Sequence, residues 1–267
     1  MHRVVAKARR SLLVVVASAA LVGGCGSYQD TGTADVWDPI ETPNRFIFSI
    51  NRAVDMIALR PITVLYRDWV PAPAQKGLTN LLNNLGEPVT AINEVVQGDP
   101  GRAATTLARF IVNSTVGIVG IFDVASAIGL PRTKESMGNT IGYYAGVEPE
   151  NGGFYLVLPV AGPSNARDGV GLVIDTAVDP FGLFTVFNSG TDAWEWIAVG
   201  ARYAAMAVDT RSRTMFALDD LEKNSVDYYA ALKSAYTQQR ADTIREKREK
   251  AGARGELNRR DNLALVR

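Results

Sequence analysis

The sequence predicts a predominantly α-helical fold with little or no β structure, and three observations carry that prediction. Apolar residues recur at helical spacing in several long runs beyond residue 40. Period-two alternation is scarce, and Phe154-Tyr155-Leu156-Val157-Leu158 is the best extended candidate. Glycines and prolines gather between the periodic runs, most densely from Gly138 to Gly171, where they read as loops. At 267 residues, 47% hydrophobic and 21% charged, the chain is neither a disordered nor a collagen-like sequence.

The first element is a processing signal. Met1 to Arg10 carries Arg3, Lys7, Arg9 and Arg10 without an acid, and Ser11 to Gly24 is an uncharged run of apolar and small residues. As a helix that run spans about 21 Å, short of a hydrocarbon core of roughly 30 Å, so residues 1–24 read as a signal peptide rather than a membrane span. Val22-Gly23-Gly24-Cys25 resembles the bacterial lipoprotein lipobox, in which the cysteine is lipidated and becomes the first mature residue. Gly26, where Asp would favour inner-membrane retention, resembles an outer-membrane address.

Removal of the signal takes four bases and no acid, leaving 24 bases against 28 acids, a net charge of −4. That balance gives no footprint for nucleic acid. His2 departs with the signal and Cys25 is consumed as an anchor, so no mature side chain remains for Ser-His-Asp or Cys-His catalysis, or for histidine or cysteine metal sites. No phosphate loop, dinucleotide fingerprint or Ser-x-x-Lys pattern is present. Carboxylate pairs remain at Glu148 with Glu150, Asp175 with Asp179, and Asp219 with Asp220. The expectation is a protein that is not an enzyme and holds no metal or cofactor.

Residues 25–36 form a polar, lipidated tether, residues 37–250 a single helical domain, and residues 251–267 a disordered tail. From Asn44 to Leu59, Phe46, Ile47, Ile50, Val54, Ile57 and Ala58 mark an amphipathic helix ended by Arg60-Pro61. A second helix holds Leu78, Leu81, Leu82, Leu85, Val89, Ile92 and Val96, with a kink expected at Gly86 and Pro88. Asp99 caps the next, with Pro100 at its first position. Phe110 to Phe122 lacks any charge and is either a buried core helix or a segment that enters one leaflet. Asp192 caps a later helix bearing Trp194, Ile197, Ala201 and Ala204, and a long helix follows from about Arg213.

These residues also carry a family resemblance. Asp38-Pro39-Ile40-Glu41, Asn44-Arg45-Phe46, Asp55, Arg60-Pro61, Tyr66 and Val70-Pro71 resemble the opening of the MlaA (VacJ) lipoproteins. The match continues through Asn80, Asn84-Leu85, Glu87-Pro88, Asn93 and Gln97-Gly98 to Arg109-Phe110, Asn113-Ser114-Thr115 and Phe122-Asp123. Tyr155 to Pro159, Gly162-Pro163-Ser164 and Arg167-Asp168 extend it, and it covers roughly Asp38 to Asp179.

The resemblance implies a ring- or disc-shaped bundle of amphipathic helices in the periplasmic leaflet of the outer membrane. It implies an amphipathic channel that returns mislocalised phospholipid towards the inner membrane, association with a trimeric porin, and hand-over to a soluble periplasmic lipid-binding protein. Phospholipid would be the transported ligand and the acyl chains on Cys25 the anchor. Phe46 and Ile50 would lie at the channel rim, with an ordinary core-facing helix as the alternative. Gly142, Gly146, Gly152, Gly153 and Phe154 would form the channel or its gate, with a plain connecting loop over Tyr143 to Phe154 as the alternative, and Val147 to Asn151 makes this loop longer and more acidic than the family's. The competing reading is a structural lipoprotein that stabilises porins or the envelope without moving lipid.

Overall fold

The computed structural model describes residues 36–145, 152–180 and 193–265. The signal peptide, Cys25, nearly all of the tether, Gly146, the acidic insertion 147–151 and Asp192 lie outside the described residues. Val36 to Arg267 is one compact unit, and its described elements are almost all helical, as expected.

The chain enters α1 (Glu41–Val54), passes through a π-helical turn (Asp55–Leu59) and continues as α2 (Arg60–Trp69). The expected stop at Arg60-Pro61 is therefore corrected: the helix runs through it. Proline lacks an N–H and its ring crowds the carbonyl four residues back. The wider turn, in which the Arg60 N–H reaches the Asp55 carbonyl, takes up both defects at once. Arg211 holds Asp55 at this turn with bonds of 2.9 and 3.1 Å.

α3 (Ala72–Val96) and α4 (Pro100–Thr115) form an antiparallel hairpin, the most extensive packing among the described elements. Asp99 caps α4 as expected, accepting the Arg102 N–H at 3.1 Å. Beyond a turn at 116–122, Asp123 caps the short α5 (Val124–Ala127), and an extended segment leads to α6 (Met137–Tyr144), capped by Ser136.

Two strands, β1 (Tyr155–Leu158) and β2 (Gly162–Asn165), pair antiparallel with Tyr155 opposite Asn165 and Leu158 opposite Gly162. The sequence marks the first strand but not the second, because Gly-Pro-Ser-Asn has no β propensity of its own. The open edge of β1 is covered by side chains of α1. Asn44 donates to the Tyr155 carbonyl and accepts the Val157 N–H, each at 2.9 Å, and Asn51 does the same for Leu158 and Val160 at 2.9 and 2.8 Å. Such an edge would otherwise expose unpaired backbone groups.

α7 (Ala166–Val178), capped by Asn165, packs on α6. α8 (Ala193–Asn224) crosses α2 and α3, and α9 (Tyr228–Leu265) crosses α6 and β2. Two expectations are corrected here. One helix is continuous from Ala193 to Asn224, with no new start near Arg213. The disordered tail expected from Ala251 is helical as far as Leu265, in keeping with the high helix propensity of its Ala, Arg, Glu and Leu residues.

Candidate functional site

The distribution of polarity is inverted relative to a water-soluble bundle. Among the described residues, ten hydrophobic side chains are buried against nineteen polar or charged ones. Large apolar chains lie outside: Phe46, Ile50, Val54 and Ile57 on α1 and its π turn, Leu65 and Trp69 on α2, and Ile111 at the end of α4. Ile57 is 80% and Trp69 81% exposed. Full transfer of such a side chain from water to hydrocarbon is worth about 1.5–3 kcal/mol, so a surface this apolar calls for an apolar surrounding. Among the described residues, no helix is long and apolar enough to cross a membrane. Phe46 and Ile50 are exposed, while α1 turns Asn44, Ile47 and Phe48 towards the interior.

The uncharged run from Phe110 to Phe122 is not a buried core helix. It leaves α4 after Thr115 and becomes a tight turn that exposes Val116, Ile118, Val119 and Phe122, each more than half exposed. Ile118 and Val119 stand at φ of 52° and 58°, a region that β-branched residues seldom occupy. Asn84 reaches the Val119 carbonyl at 3.3 Å and the Ser114 hydroxyl at 2.9 Å, and Asn80 reaches the Ile121 carbonyl at 3.0 Å. In a lipid surrounding non-helical backbone is tolerated only when its polar groups find partners within the protein, and these two asparagines supply them.

Between α3 and α4 the contact is polar. Arg109, 1% exposed, donates to Glu87 at 3.4 Å, Asp123 at 3.0 Å, the Ser126 hydroxyl at 3.0 Å and the Leu130 carbonyl at 2.6 Å. Glu94 accepts from Thr106 at 2.6 Å and Thr133 at 2.5 Å. Burial pushes the Glu87 carboxyl up, opposed by Arg109 and Arg132. Burial also opposes the charge of Asp123, but hydrogen bonds from Ser126 and Asn113 and the Arg109 guanidinium outweigh it and hold its pKa down to about 2. A depressed carboxylate contributes stability that is complete above its ordinary value of 3.8 and lost as pH falls through 2. Stability is therefore expected to decline between pH 4 and pH 2, by less in Asp123→Asn than in the wild type. Circular dichroism across an acid titration checks this, and parallel declines in the two proteins would contradict it.

The residue 131–139 segment, the β1–β2 hairpin, α7 and α9 line an open cavity of about 930 Å³. That is at the upper end of the range for small-molecule sites, roughly 300–1,000 Å³. Its walls differ in chemistry. Leu158, Ala161, Pro163 and Leu172 give an apolar side, while Arg102, Arg132, Lys134, Glu135, Arg240 and Lys247 give a charged one.

Of the residues expected at the channel, the described ones, Phe46, Ile50, Gly142, Gly152, Gly153 and Phe154, do not line this cavity. Phe46 and Ile50 face outward on α1, and Phe154 packs edge-on against Trp37 with centroids 6.1 Å apart. Gly142 is pressed against α9, where a Cβ would come within 2.8 Å of Ile244. At Gly152 a Cβ would approach Asn165 to 2.5 Å, and Gly153, at φ 80°, packs on Ala166. These three glycines allow close approach between elements, and the gate assigned to them remains a reading of the resemblance.

Sequence reasoning missed the cavity. One signal was available: Tyr236, Arg240, Thr243, Lys247 and Lys250 recur at helical spacing on one stripe of α9, and all line it. Of the carboxylates paired in the sequence, Glu148 and Glu150 lie outside the described residues, and the others have structural partners. Asp175 accepts from Asn93 and the Met137 N–H, Asp179 from Arg202, and Asp219 from Arg60 and Arg211.

Comparison with known proteins is consistent with this geometry. The family description MlaA lipoprotein matches residues 36–243. The chain is 32% identical to an uncharacterised protein of Rickettsia felis over 220 residues, 82% of each chain. It is 32% identical over 223 residues to the intermembrane phospholipid transport system lipoprotein MlaA of Escherichia coli, again 82% of each. A solved structure from work on the structural basis for maintenance of bacterial outer membrane lipid asymmetry aligns with a TM-score of 0.63 at 31% identity, over 78% of this chain and 98% of that one. An inverted helical bundle that matches along most of its length identifies the chain as a member of the MlaA lipoprotein family.

Proposed function

We propose that this chain is a lipid-anchored outer-membrane protein that takes mislocalised phospholipid from the outer leaflet and passes it to a soluble periplasmic carrier. The carrying observation is the inverted polarity of the fold, with large apolar side chains exposed on α1, α2 and the 116–122 turn, a polar interior and a two-sided cavity. A phospholipid that crossed water alone would expose some thirty methylenes, a cost on the order of 20 kcal/mol at about 0.8 kcal/mol each. The exterior suits residence in the periplasmic leaflet, and the acyl chains on Cys25 would fix it there, exceeding the two signals that stable attachment needs. In this reading the helices form a ring or disc beside a trimeric porin, and the cavity is part of the lipid route. Transfer needs no bond to form or break, so the chain acts without a cofactor and is not an enzyme.

The test is genetic. Deletion is expected to raise phospholipid in the outer leaflet and sensitise cells to SDS with EDTA, and wild-type protein restores both. Thr243→Trp, which fills the cavity from α9, is expected to reach wild-type levels in the membrane but fail to restore them. Normal outer-leaflet lipid in the deletion strain would remove the transport reading. Full restoration by Thr243→Trp would remove the cavity from the route and favour a structural lipoprotein.

A further inference from the structure

We infer that the charged side of the cavity binds the phosphate of a net-anionic phospholipid headgroup, with Lys134 and Arg132 as its contacts. The inference rests on the transport reading and adds to it the chemistry by which one lipid class is recognised.

The cavity is lined by six bases, Arg102, Arg132, Lys134, Arg240, Lys247 and Lys250, against four acids, Glu135, Asp168, Asp175 and Glu246. Most of the bases already have partners. Arg102 and Lys247 both hold Glu135, each at 2.6 Å, and Arg102 also reaches Glu94 at 3.2 Å. Arg240 is held by Asp168 at 2.7 and 2.8 Å, and Lys250 pairs with Glu246.

Two bases are left short. Among the described residues Arg132 pairs only with Glu87, at 3.6 Å, and Arg109 already shares that carboxylate. Lys134 forms no ion pair with any described residue, although the carbonyl of the same residue accepts from Lys247 at 3.4 Å. Its ammonium is open to the solvent of the cavity yet hemmed in by protein. Burial and then the neighbouring cations Arg132, Arg213 and Arg240 depress its pKa. Glu87 and Glu94, which offset the excess charge, are each at most 2% exposed behind the wall and cannot reach into the cavity.

An anion placed between Lys134 and Arg132 would supply the missing counter-charge. The apolar wall of Leu158, Ala161, Pro163 and Leu172 faces the same space and suits the first segments of acyl chain. A zwitterionic headgroup would bring its own cation into a region that already repels one, so net-anionic lipid is favoured.

The experiment is native mass spectrometry of the detergent-extracted full chain, titrated at low ionic strength with dihexanoylphosphatidylglycerol, dihexanoylphosphatidylcholine or inorganic phosphate. The wild type is expected to bind the glycerol lipid about tenfold more tightly than the choline lipid, the worth of one charge-assisted hydrogen bond. Lys134→Gln and Arg132→Gln should each abolish most of that preference, and Lys134→Arg should keep it. Equal binding of the two lipids by the wild type, or a preference untouched by Lys134→Gln, overturns the headgroup site and leaves the transport reading standing. Binding of neither lipid overturns both. Inorganic phosphate bound as tightly as the glycerol lipid would assign the site to free phosphate and overturn the lipid as its ligand.

Discussion

Arg109→Met is expected to lower the unfolding free energy by about 3–5 kcal/mol, the cost of removing one partner from a buried ionic cluster. Arg109 lies between α3, α4 and the segment that follows α5, and its guanidinium serves Glu87, Asp123, Ser126 and the Leu130 carbonyl together. Methionine fills a similar volume, so the loss reports charge and hydrogen bonding rather than a cavity. Glu87, 2% exposed, would then keep only the distant Arg132, and the Leu130 carbonyl would have no donor. The double variant Arg109→Met with Glu87→Gln should recover part of the loss, because an unpaired amide costs less to bury than an unpaired charge. Denaturant unfolding of the detergent-extracted protein, followed by circular dichroism, measures both. A loss below 1 kcal/mol in the single variant would mean that the cluster relaxes or admits water, and the polar interior would lose its claim to hold the hairpin together.

Periodicity and capping made the helices legible, and Asp99 with Pro100 gave one start to the residue. What periodicity does not carry is the identity of the solvent. The runs through Phe46, Ile50, Val54 and Ile57 and through Ile92 and Val96 mark real helix faces, yet the structure turns those faces outward and buries Asn44, Asn84, Glu87, Asn93 and Glu94. A stripe of apolar residues lies on the core side only when water surrounds the molecule. The buried polar residues recur at helical spacing too, as Asn84, Glu87 and Glu94 do on α3 and Thr106, Arg109 and Asn113 on α4. Several of them carry the family resemblance, so the motif was visible while its place inside the fold was not. The cavity was hidden for a different reason: its walls come from residues 102, 131–139, 158–175 and 236–250, and no local pattern links those segments. At Pro61 a local rule failed because a single wide turn absorbs a proline that would end a regular helix.

The turn at 116–122 is where a small substitution should do the most harm. Gly117→Ala is expected to destabilise the protein by several kcal/mol, beyond the roughly 1–3 kcal/mol usual for an overpacked site. A Cβ at this position would stand 2.3 Å from the Phe122 carbonyl oxygen and 2.5 Å from that of Asn113. Both are backbone atoms, so no side-chain rotation can relieve the contact. The Phe122 N–H donates to the Gly117 carbonyl at 2.9 Å and the Gly117 N–H to the Val112 carbonyl at 3.1 Å, so movement would break the closure of the turn. Movement would also pull Val119 and Ile121 away from Asn84 and Asn80, leaving carbonyls unpaired at an apolar surface, where each costs several kcal/mol. Gly86→Ala is the matched control, since a Cβ there meets nothing within 4 Å and alanine favours its helix. Membrane-fraction abundance and denaturant midpoints of the two variants should diverge, with Gly117→Ala depleted and Gly86→Ala equal to or above the wild type. Equal stability of the two would show that this turn is compliant, and that Asn80 and Asn84 do not hold its exposed apolar residues in one fixed conformation.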